Sequence, residues 1–151
     1  MGGYRIDISA PNLSCICIDE TERGEYKGRI YHRYSNEAVS FQNSAQLIII
    51  LNRFFDDINY PQPSTIYRSL YTEKGSSGGP SRQAVKMVQT AEWALGHTGE
   101  VGTFFLHVRY RQNSTWQGRV IWKEGEESMI FGSVLELLRI INKSIENEEM
   151  P

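Results

Sequence analysis

The sequence has few cysteines and no long hydrophobic run. Its two cysteines, Cys15 and Cys17, are two positions apart, so in a β-strand both side chains would point to one face, and neighbours of this kind rarely form a disulfide. We therefore expect reduced thiols. The longest apolar run, residues 47–51, is far shorter than the about 20 residues of a membrane-spanning helix. No basic-then-apolar pattern opens the chain, so we expect a cytoplasmic protein with no membrane partner.

The chain also lacks an excess of either charge. Among its 151 residues, 16 are Lys or Arg and 18 are Asp or Glu, which gives a formal charge of -2. Hydrophobic residues make up 40% and charged residues 23%, a balance that excludes disordered and fibrous proteins. A chain of this length can bury roughly two thirds of its unfolded surface. We therefore expect residues 1–151 to form a single domain that folds without metal or disulfides.

The sequence repeats itself at a separation of 90 positions. Residues 26–57 align without a gap with residues 116–147, and the register extends upstream to place residues 13–19 beside residues 103–109. A repeat of this kind predicts a duplicated structural unit. We expect repeat one at about 11–58, a linker at about 59–100 and repeat two at about 101–147. The identical positions are Gly28/Gly118, Arg29/Arg119, Glu37/Glu127, Phe41/Phe131, Leu47/Leu137, Ile50/Ile140 and Asn52/Asn142.

Each repeat reads as three strands followed by a helix. Alternation of apolar and polar residues indicates the strands, and apolar residues at helical spacing indicate the helices. Ser133 followed by Glu136 predicts a capping box at the second helix, and Asn43 with Gln46 predicts the same arrangement at the first. The predicted apolar stripes are Leu47, Ile50, Leu51 and Phe54 in the first helix, and Leu137, Ile140, Ile141 and Ile145 in the second.

The predicted fold class is α+β. Two duplicated β-β-β-α units would form a pseudo-dimer in which an antiparallel sheet packs on two helices. The linker adds an extra helix at residues 81–95, preceded by a mobile loop at residues 74–79, KGSSGG. Residues 47–51 are apolar on every side, so either the second helix and linker cover them or the chain forms a homodimer. The apolar positions of the linker helix are Ala84, Val85, Val88, Ala91 and Leu95.

Glycine recurs inside the second strand of each repeat. Gly28 and Gly118 are each followed by an arginine. A glycine within a strand pattern marks a β-bulge or the close approach of another backbone. We therefore predict the same bulged geometry in both repeats, with a structural role.

Strand alternation separates an apolar face of the sheet from a cationic one. The apolar face includes Tyr110, Trp116 and Trp122, which we expect in the core under the helices. The opposite face gathers seven cations against one acid, Asp19, and we expect it to be exposed and to bind the partner. The predicted site residues are Lys27, Arg29, Tyr31, Arg33, Phe105, Arg109, Arg111, Arg119 and Lys123.

A surface of one charge attracts an anionic partner. Single-stranded DNA or RNA is the partner that this face favours, because cations contact phosphates and exposed aromatics such as Tyr31 and Phe105 stack on unpaired bases. Two alternatives stay open. In the first, the arginines pair with acidic residues and their aliphatic side-chain carbons cover apolar surface. In the second, the face binds a protein partner. We expect a non-enzymatic binding module, with a protein-interaction or regulatory protein as the alternative.

No constellation of residues predicts an enzyme or a cofactor site. In a duplicated sheet Cys15 and Cys17 would approach His32 and His107, but Cys-x-Cys alone falls short of a metal-site signature. A buried small side chain is the simpler interpretation of each cysteine. Residues 75–81 lead into the linker helix without the Lys-Ser/Thr of a P-loop. We expect no catalytic residue, no metal and no cofactor.

One stretch of the second repeat resembles a known family. FFLHVRYRQNSTWQGRVIWKE, residues 104–124, is similar to the PUR repeats of single-stranded nucleic-acid binders, and the architecture resembles the Whirly fold. The matching positions are Asn113, Gly118, Arg119, Lys123 and Glu124. The resemblance implies an intertwined pair of repeats whose curved sheets hold one strand of DNA or RNA. It gives that role to Arg29, Arg33, Arg109, Arg111, Arg119 and Lys123. The segment YRQNSTWQG is also similar to uncharacterised small proteins of anaerobic Gram-positive bacteria, which implies no function.

Overall fold

The computed structural model describes residues 6–62, 86–112 and 115–149. Within these ranges three strands followed by a long helix occur twice, with one short helix between the two sets, so the predicted α+β class is confirmed. No helix among the described residues has the length and hydrophobicity needed to span a bilayer. The elements are β1 (Ser14–Glu22), β2 (Glu25–His32), β3 (Val39–Phe41), α1 (Ser44–Ile58), α2 (Ala91–Ala94), β4 (Gly102–Gln112), β5 (Thr115–Trp122), β6 (Glu127–Phe131) and α3 (Val134–Glu149).

All six strands belong to one antiparallel sheet in the order β3-β2-β1-β4-β5-β6. At its centre β1 pairs with β4, and Cys15 lies opposite Phe105, the residue 90 positions later. On either side of this pair, Ser14 lies opposite Leu106 and Ile16 lies opposite Phe104. Leu106 lies 90 positions after Ile16, and Phe104 lies 90 positions after Ser14. The pairing therefore stays the same when the two strands are exchanged, which is the register of a two-fold axis through the Cys15/Phe105 pair.

Both central strands carry a bulge. The register of β1 with β2 shifts between Ile18 and Glu20, and that of β4 with β5 shifts between Val108 and Tyr110, 90 positions later. Because a bulge adds one residue to its strand, the alternation of side chains inverts beyond it. The prediction that Tyr110 lies in the core and Arg111 on the opposite face is therefore wrong. Tyr110 is 56% exposed, and Arg111 is buried on the helix side.

The two strand glycines lie opposite these bulges. A Cβ atom on Gly28 would lie 1.8 Å from the backbone oxygen of Cys17, and one on Gly118 would lie 2.2 Å from that of His107. Real Cβ atoms essentially never come within 3.0 Å of such a neighbour. The predicted bulges are thus confirmed, with the extra residue in the strand facing each glycine.

α1 and α3 pack on one face of the sheet and enclose the main core. Trp116 and Trp122 are buried in it, as predicted. The predicted helix stripes are buried as well, except that Ile50 and Ile140 are only partly covered. Within residues 47–51 the sheet core covers the inward side chains and leaves Ile49 56% exposed. The buried helix residues are Leu47, Leu51, Phe54, Phe55, Leu137, Ile141 and Ile145.

Both long helices begin with the predicted caps. Asn43 accepts a hydrogen bond from the backbone N–H of Gln46 at 2.9 Å, and Ser133 accepts one from Glu136 at 3.0 Å. The side chains of Gln46 and Glu136 reach back to the N–H of the residue before each cap, at 2.8 and 2.7 Å. These bonds satisfy backbone donors that the first turn of a helix leaves free.

The linker helix is much shorter than predicted. α2 is a single turn capped by Thr90, and residues 86–90 are not helical, so the predicted helix is wrong over that stretch. The backbone N–H groups of Val88 and Gln89 both donate to the oxygen of Arg33, just beyond β2. These bonds hold the segment against the sheet in place of helical bonds. Residues 81–85 and the predicted mobile loop at 74–79 lie outside the described ranges.

Candidate functional site

The sheet face opposite the long helices is covered at its centre. Cys15, Cys17, Phe105 and Ile121 form a second buried cluster there. Two segments contribute the covering side chains, the N-terminal segment (residues 6–13) and residues 86–101, which we call the strap. The expectation of a fully exposed cationic face is therefore wrong. Packed around the cluster are Ile6, Tyr31 and Leu95.

Arg29 is neutralised by Asp19. Its Nε donates to Asp19 Oδ2 at 2.8 Å and its Nη2 donates to Oδ1 at 3.0 Å, and Nη2 also donates to the Thr98 oxygen of the strap at 3.1 Å. Burial would raise the pKa of Asp19, but the bonds from Arg29 and from the Glu100 N–H outweigh it and lower the pKa. Arg29 therefore holds the strap on the first half of the sheet.

Arg33 and Tyr31 also contact the covering segments. Arg33 Nε donates to the Gln89 oxygen at 3.2 Å, and its Nη1 donates to the Ile8 oxygen at 3.3 Å. Tyr31 stacks on the His97 ring of the strap, with centroids 3.5 Å apart. Because His97 already occupies its ring face, Tyr31 is not the open stacking surface that the sequence predicted.

The two predicted lysines have partners of their own. Lys27 forms an exposed ion pair with Glu20 at 3.2 Å. Lys123 donates to Thr98 Oγ1 in the strap at 2.8 Å. Each lysine still adds to the electrostatic field of the face, but each is already engaged within the protein.

Arg111 lies on the helix side, so its predicted place on the cationic face is wrong. Only 6% exposed, it donates from Nη1 to Asp56 at 2.8 Å and to Asn52 at 3.2 Å, both in α1. Its Nε donates to the Pro61 oxygen at 2.6 Å. These contacts tie β4 to α1 and to the segment after it, which is a structural role.

The remaining two cations, Arg109 and Arg119, line a cleft of about 290 Å³ on the second half of the face. Strands β4 and β5 form its floor, and the N-terminal segment forms one wall. Phe105 contributes to this floor but is only 5% exposed, so its predicted role as an exposed ring for stacking on bases is wrong. The other lining residues are Ile6, Asp7, Leu13, Leu106, His107 and Ile121.

Neither arginine of the cleft has an ion pair with another described residue. The Nε of Arg119 is buried and, among the described residues, has no hydrogen-bond acceptor. Asp7 contributes one negative charge and accepts hydrogen bonds from the N–H of Ser9 at 3.0 Å and from its hydroxyl at 2.5 Å. Two cations against one acid leave the cleft with one excess positive charge.

His107 adds an uncharged polar group to the cleft. Burial lowers its pKa, and the neighbouring Arg109 and Arg119 lower it further, while Asp7 acts in the opposite direction. The imidazole is therefore neutral near pH 7, when one ring nitrogen donates a hydrogen bond and the other accepts one. A ring N–H of this kind can donate a neutral hydrogen bond to a ligand in the cleft.

Two exposed residues beside the cleft were missed by the sequence analysis. Tyr110 is 56% exposed and follows Arg109 directly. Ile130 is 71% exposed and lies opposite Arg119 in the ladder between β5 and β6. The signal for Tyr110 was present in the sequence, because Gly118 predicted a bulge that turns this side chain outward.

The two cysteine thiols lie next to each other in the buried cluster of the covered face. The Sγ atoms of Cys15 and Cys17 are 3.8 Å apart, and both thiols are free. Their mutual hydrogen bond, together with burial, raises the pKa of Cys15, and the same bond lowers the pKa of Cys17. His32 stacks on Phe54 on the helix side, away from both thiols. Among the described residues, no three His, Cys, Asp or Glu side chains are placed to hold a metal ion.

Comparison of the chain with protein-family models, with curated proteins and with solved structures found no match. The resemblance of residues 104–124 to PUR repeats therefore stays a prediction, and the cleft is interpreted from its own chemistry.

Proposed function

We propose that this protein is a non-enzymatic binding module that holds single-stranded DNA or RNA at the cleft of Arg109 and Arg119. The observation that carries the proposal is that Arg109 and Arg119 line the same cleft and that neither has an ion pair with another described residue. Guanidinium groups form strong, charge-assisted hydrogen bonds with phosphate oxygens.

Aromatic and aliphatic groups next to these charges support a nucleotide ligand. Tyr110 presents an exposed ring directly after Arg109. Bases of a single strand stack on such rings, whereas the bases of a duplex are already stacked on one another. The proposed ligand is therefore a single strand that places a phosphate between the arginines and a base near Tyr110.

The proposed contact area is smaller than the nine residues predicted from the sequence. Lys27, Arg29, Arg33 and Lys123 each have a protein partner, so they contribute to the field around the site rather than to direct phosphate contacts. Tyr31 supports the strap, and Arg111 supports α1. The PUR-like mode, in which a whole curved face follows the strand, would require the strap to leave the sheet.

Fluorescence anisotropy with labelled single-stranded DNA, single-stranded RNA and duplex DNA tests this proposal. The informative variant is Arg109→Asp, because an aspartate at that position would give Arg119 the partner that Asp19 gives Arg29. We expect R109D to weaken single-strand binding by about tenfold or more, the loss of one charge-assisted hydrogen bond. Arg139→Glu is the matched control, since it changes the net charge in the same sense at an exposed position of α3. Equal weakening by both variants would refute a role for the cleft.

We also propose that the two halves are a tandem duplication that forms a pseudo-dimer. The register of the central ladder, the two bulges and the two helix caps all recur at a separation of 90 positions. A duplicated unit suggests an ancestor that paired with its own copy across this strand. The first half has the ion pair of Asp19 with Arg29, whereas the second half has Arg109 at the position that corresponds to Asp19.

A protein-interaction role is the second candidate, and one observation favours it. Ile130 lies 71% exposed on β6, which is an edge strand of the sheet. Edge strands present unpaired backbone groups that another strand can join, from a protein partner or from a second copy of this chain. Sedimentation analysis of the wild type and of Ile130→Lys tests the homodimer. A mass that falls to that of one chain in the variant supports it, and a wild type with the mass of one chain at all concentrations refutes it.

A further inference from the structure

We propose that Cys15 and Cys17 form a two-coordinate site for a soft monovalent metal ion, Cu(I). The site is separate from the cleft and does not depend on the proposed nucleic-acid ligand. It departs from the sequence-based expectation of no metal, which rested on Cys-x-Cys falling short of a metal-site signature. The new observation is the arrangement of the two sulfur atoms under the strap.

The two sulfurs lie at nearly the separation that one metal ion requires. Because Cys15 and Cys17 are two positions apart in β1, both side chains point to the covered face, and their Sγ atoms are 3.8 Å apart. Metal–thiolate bonds are about 2.3 Å for zinc and no longer for Cu(I), so two such bonds in a straight line span at most about 4.6 Å. The sulfurs therefore need to separate by less than about 1 Å, which small side-chain rotations provide.

The hydrogen bond between the sulfurs occupies the position that the metal would take. This bond raises the pKa of Cys15 and lowers the pKa of Cys17, so the first proton leaves more readily than the second. The positive charge of Lys123 favours the thiolate form of both residues. Binding exchanges one Cu(I) ion for the two thiol protons, with no change of oxidation state. The bis-thiolate complex that forms is a singly charged anion, which Lys123 stabilises.

The number of available ligands selects the metal. Within the part of the chain that the structure describes, no third His, Cys, Asp or Glu side chain joins the pair as a ligand. Zinc takes four protein ligands in structural sites and three plus a water in catalytic ones. Soft thiolate ligands select Cu(I), which is stable between two sulfurs in a line. The pair therefore suits Cu(I) and is incomplete for zinc.

The surroundings keep water away from the two sulfurs. Cys15 and Cys17 are both 0% exposed and pack with Phe105 and Ile121. The strap covers them, because Cys15 Sγ donates to the His97 oxygen at 3.6 Å. An apolar shell of this kind controls the access of solvent to a metal site. The metal reaches the sulfurs when this part of the strap leaves the sheet, so each measurement requires time to equilibrate.

Anaerobic titration of the whole protein with Cu(I), in competition with a chromophoric Cu(I) chelator, tests the site. We expect each chain to take one Cu(I) ion from the chelator and to release about two protons for each ion bound. X-ray absorption at the copper edge should show two sulfur neighbours and no nitrogen or oxygen neighbour. The same titration with Zn²⁺ and a zinc chelator should show much weaker binding.

Cys15→Ser and Cys17→Ser each remove one ligand. We expect each variant to bind Cu(I) at least about a hundredfold more weakly, since even the loss of an outer-shell partner costs about 10- to 100-fold in affinity. Met87→Leu is the matched control, because it removes an exposed soft sulfur from the strap and should leave the affinity unchanged. Circular dichroism confirms that each variant is folded before it is titrated.

The wild type alone can overturn the inference, so the test does not depend on the folding of the serine variants. If the chelator keeps all the Cu(I), or if the absorption spectrum lacks two sulfur neighbours, the site is refuted. Zinc bound as tightly as Cu(I) would refute the two-coordinate assignment. Affinity that both serine variants retain would show that the copper binds elsewhere. None of these results affects the proposed binding of single strands.

Discussion

Arg29 and Asp19 form a two-bond ion pair, with Nε to Oδ2 at 2.8 Å and Nη2 to Oδ1 at 3.0 Å. At the corresponding positions 90 residues later the chain has Arg119 and Arg109, so the carboxylate is replaced by a second cation. The first half of the face is thereby neutralised and covered, and the second half keeps an unsatisfied positive charge. This difference between equivalent positions locates the candidate site.

The variant R109D should bind poorly and yet fold at least as well as the wild type. It removes the repulsion between two arginines and supplies an acceptor for Arg119. A partly exposed ion pair contributes about 0.2 to 1 kcal/mol, so we expect the free energy of unfolding to stay equal or to rise by that amount. Urea unfolding measures it. A loss of more than about 1 kcal/mol would show that Arg109 has a structural partner and would argue against the cleft as a site kept open for a ligand.

Alanine at either strand glycine should be severely destabilising. In Gly28→Ala and Gly118→Ala the new Cβ would lie 1.8 and 2.2 Å from a backbone oxygen, so the bulged strands would have to separate. Overpacking of this kind typically costs about 1 to 3 kcal/mol, and more where backbone must move. Because the same geometry recurs, we expect similar losses at both positions in thermal unfolding.

Gly102→Ala is the control for this pair. Its Cβ would meet only the Phe104 ring at 3.5 Å, an ordinary contact, so its effect should stay within about 1 kcal/mol. If G28A or G118A were as mild as this control, the close approach of the strands would be refuted.

Arg111→Ala should reduce stability without weakening the binding of the folded protein. The change leaves Asp56 and the Pro61 oxygen without their partner, and the loss of charge-assisted hydrogen bonds costs about 1.5 to 3 kcal/mol. Asp56 is itself half exposed, which favours the lower end of this range. Oligonucleotide affinity, measured where the variant is still folded, should change less than about twofold. A large loss of affinity with little loss of stability would indicate instead that Arg111 contacts the ligand.

His32 should make the stability depend on pH. Burial lowers its pKa to about 4 from an ordinary value near 6.5, so the unfolded chain binds a proton more readily than the folded one. Stability is then greatest above pH 6.5, falls as the pH drops toward about 4, and levels off below that. Because part of the ring is accessible, we expect a loss of about 2 kcal/mol.

The variant His32→Phe isolates this contribution. A phenyl ring can keep the stacking on Phe54 but cannot take up a proton, although it gives up the bond from the Tyr34 N–H. The difference in unfolding free energy between wild type and H32F should therefore shrink or reverse between pH 7 and pH 4. Parallel curves over this range would contradict the assignment.

The local architecture was predictable from the sequence because its causes are local. Alternation, apolar stripes and the caps at Asn43 and Ser133 each depend on residues within a few positions, and the structure has all three. The repeat also predicted that both halves would share one order of elements. The error at Tyr110 and Arg111 came from continuing the alternation through a bulge that Gly118 had already indicated.

The covering of the cationic sheet face by the N-terminal segment and the strap was not predictable from local patterns. The strap is held by contacts such as Arg29 with Thr98, 69 positions apart, and Cys15 with the His97 oxygen, 82 positions apart. Such contacts form only once the sheet is assembled, and no local sequence pattern around these residues predicts them. The cleft exists only once the strap and the N-terminal segment are in place, so its lining residue Asp7 carried no signal in the sequence.

The salt dependence of single-strand affinity tests the central claim most directly. Each phosphate contact contributes about -0.7 to the slope of log K against log salt concentration for single strands. One phosphate held between the two arginines predicts a slope of about -0.7, and one phosphate at each of the six cations on this face of the sheet predicts about -4. We expect the shallow slope for the wild type and its near disappearance in R109D. A slope near -4 that R109D leaves almost unchanged would contradict the account and indicate that the whole face of the sheet binds the strand.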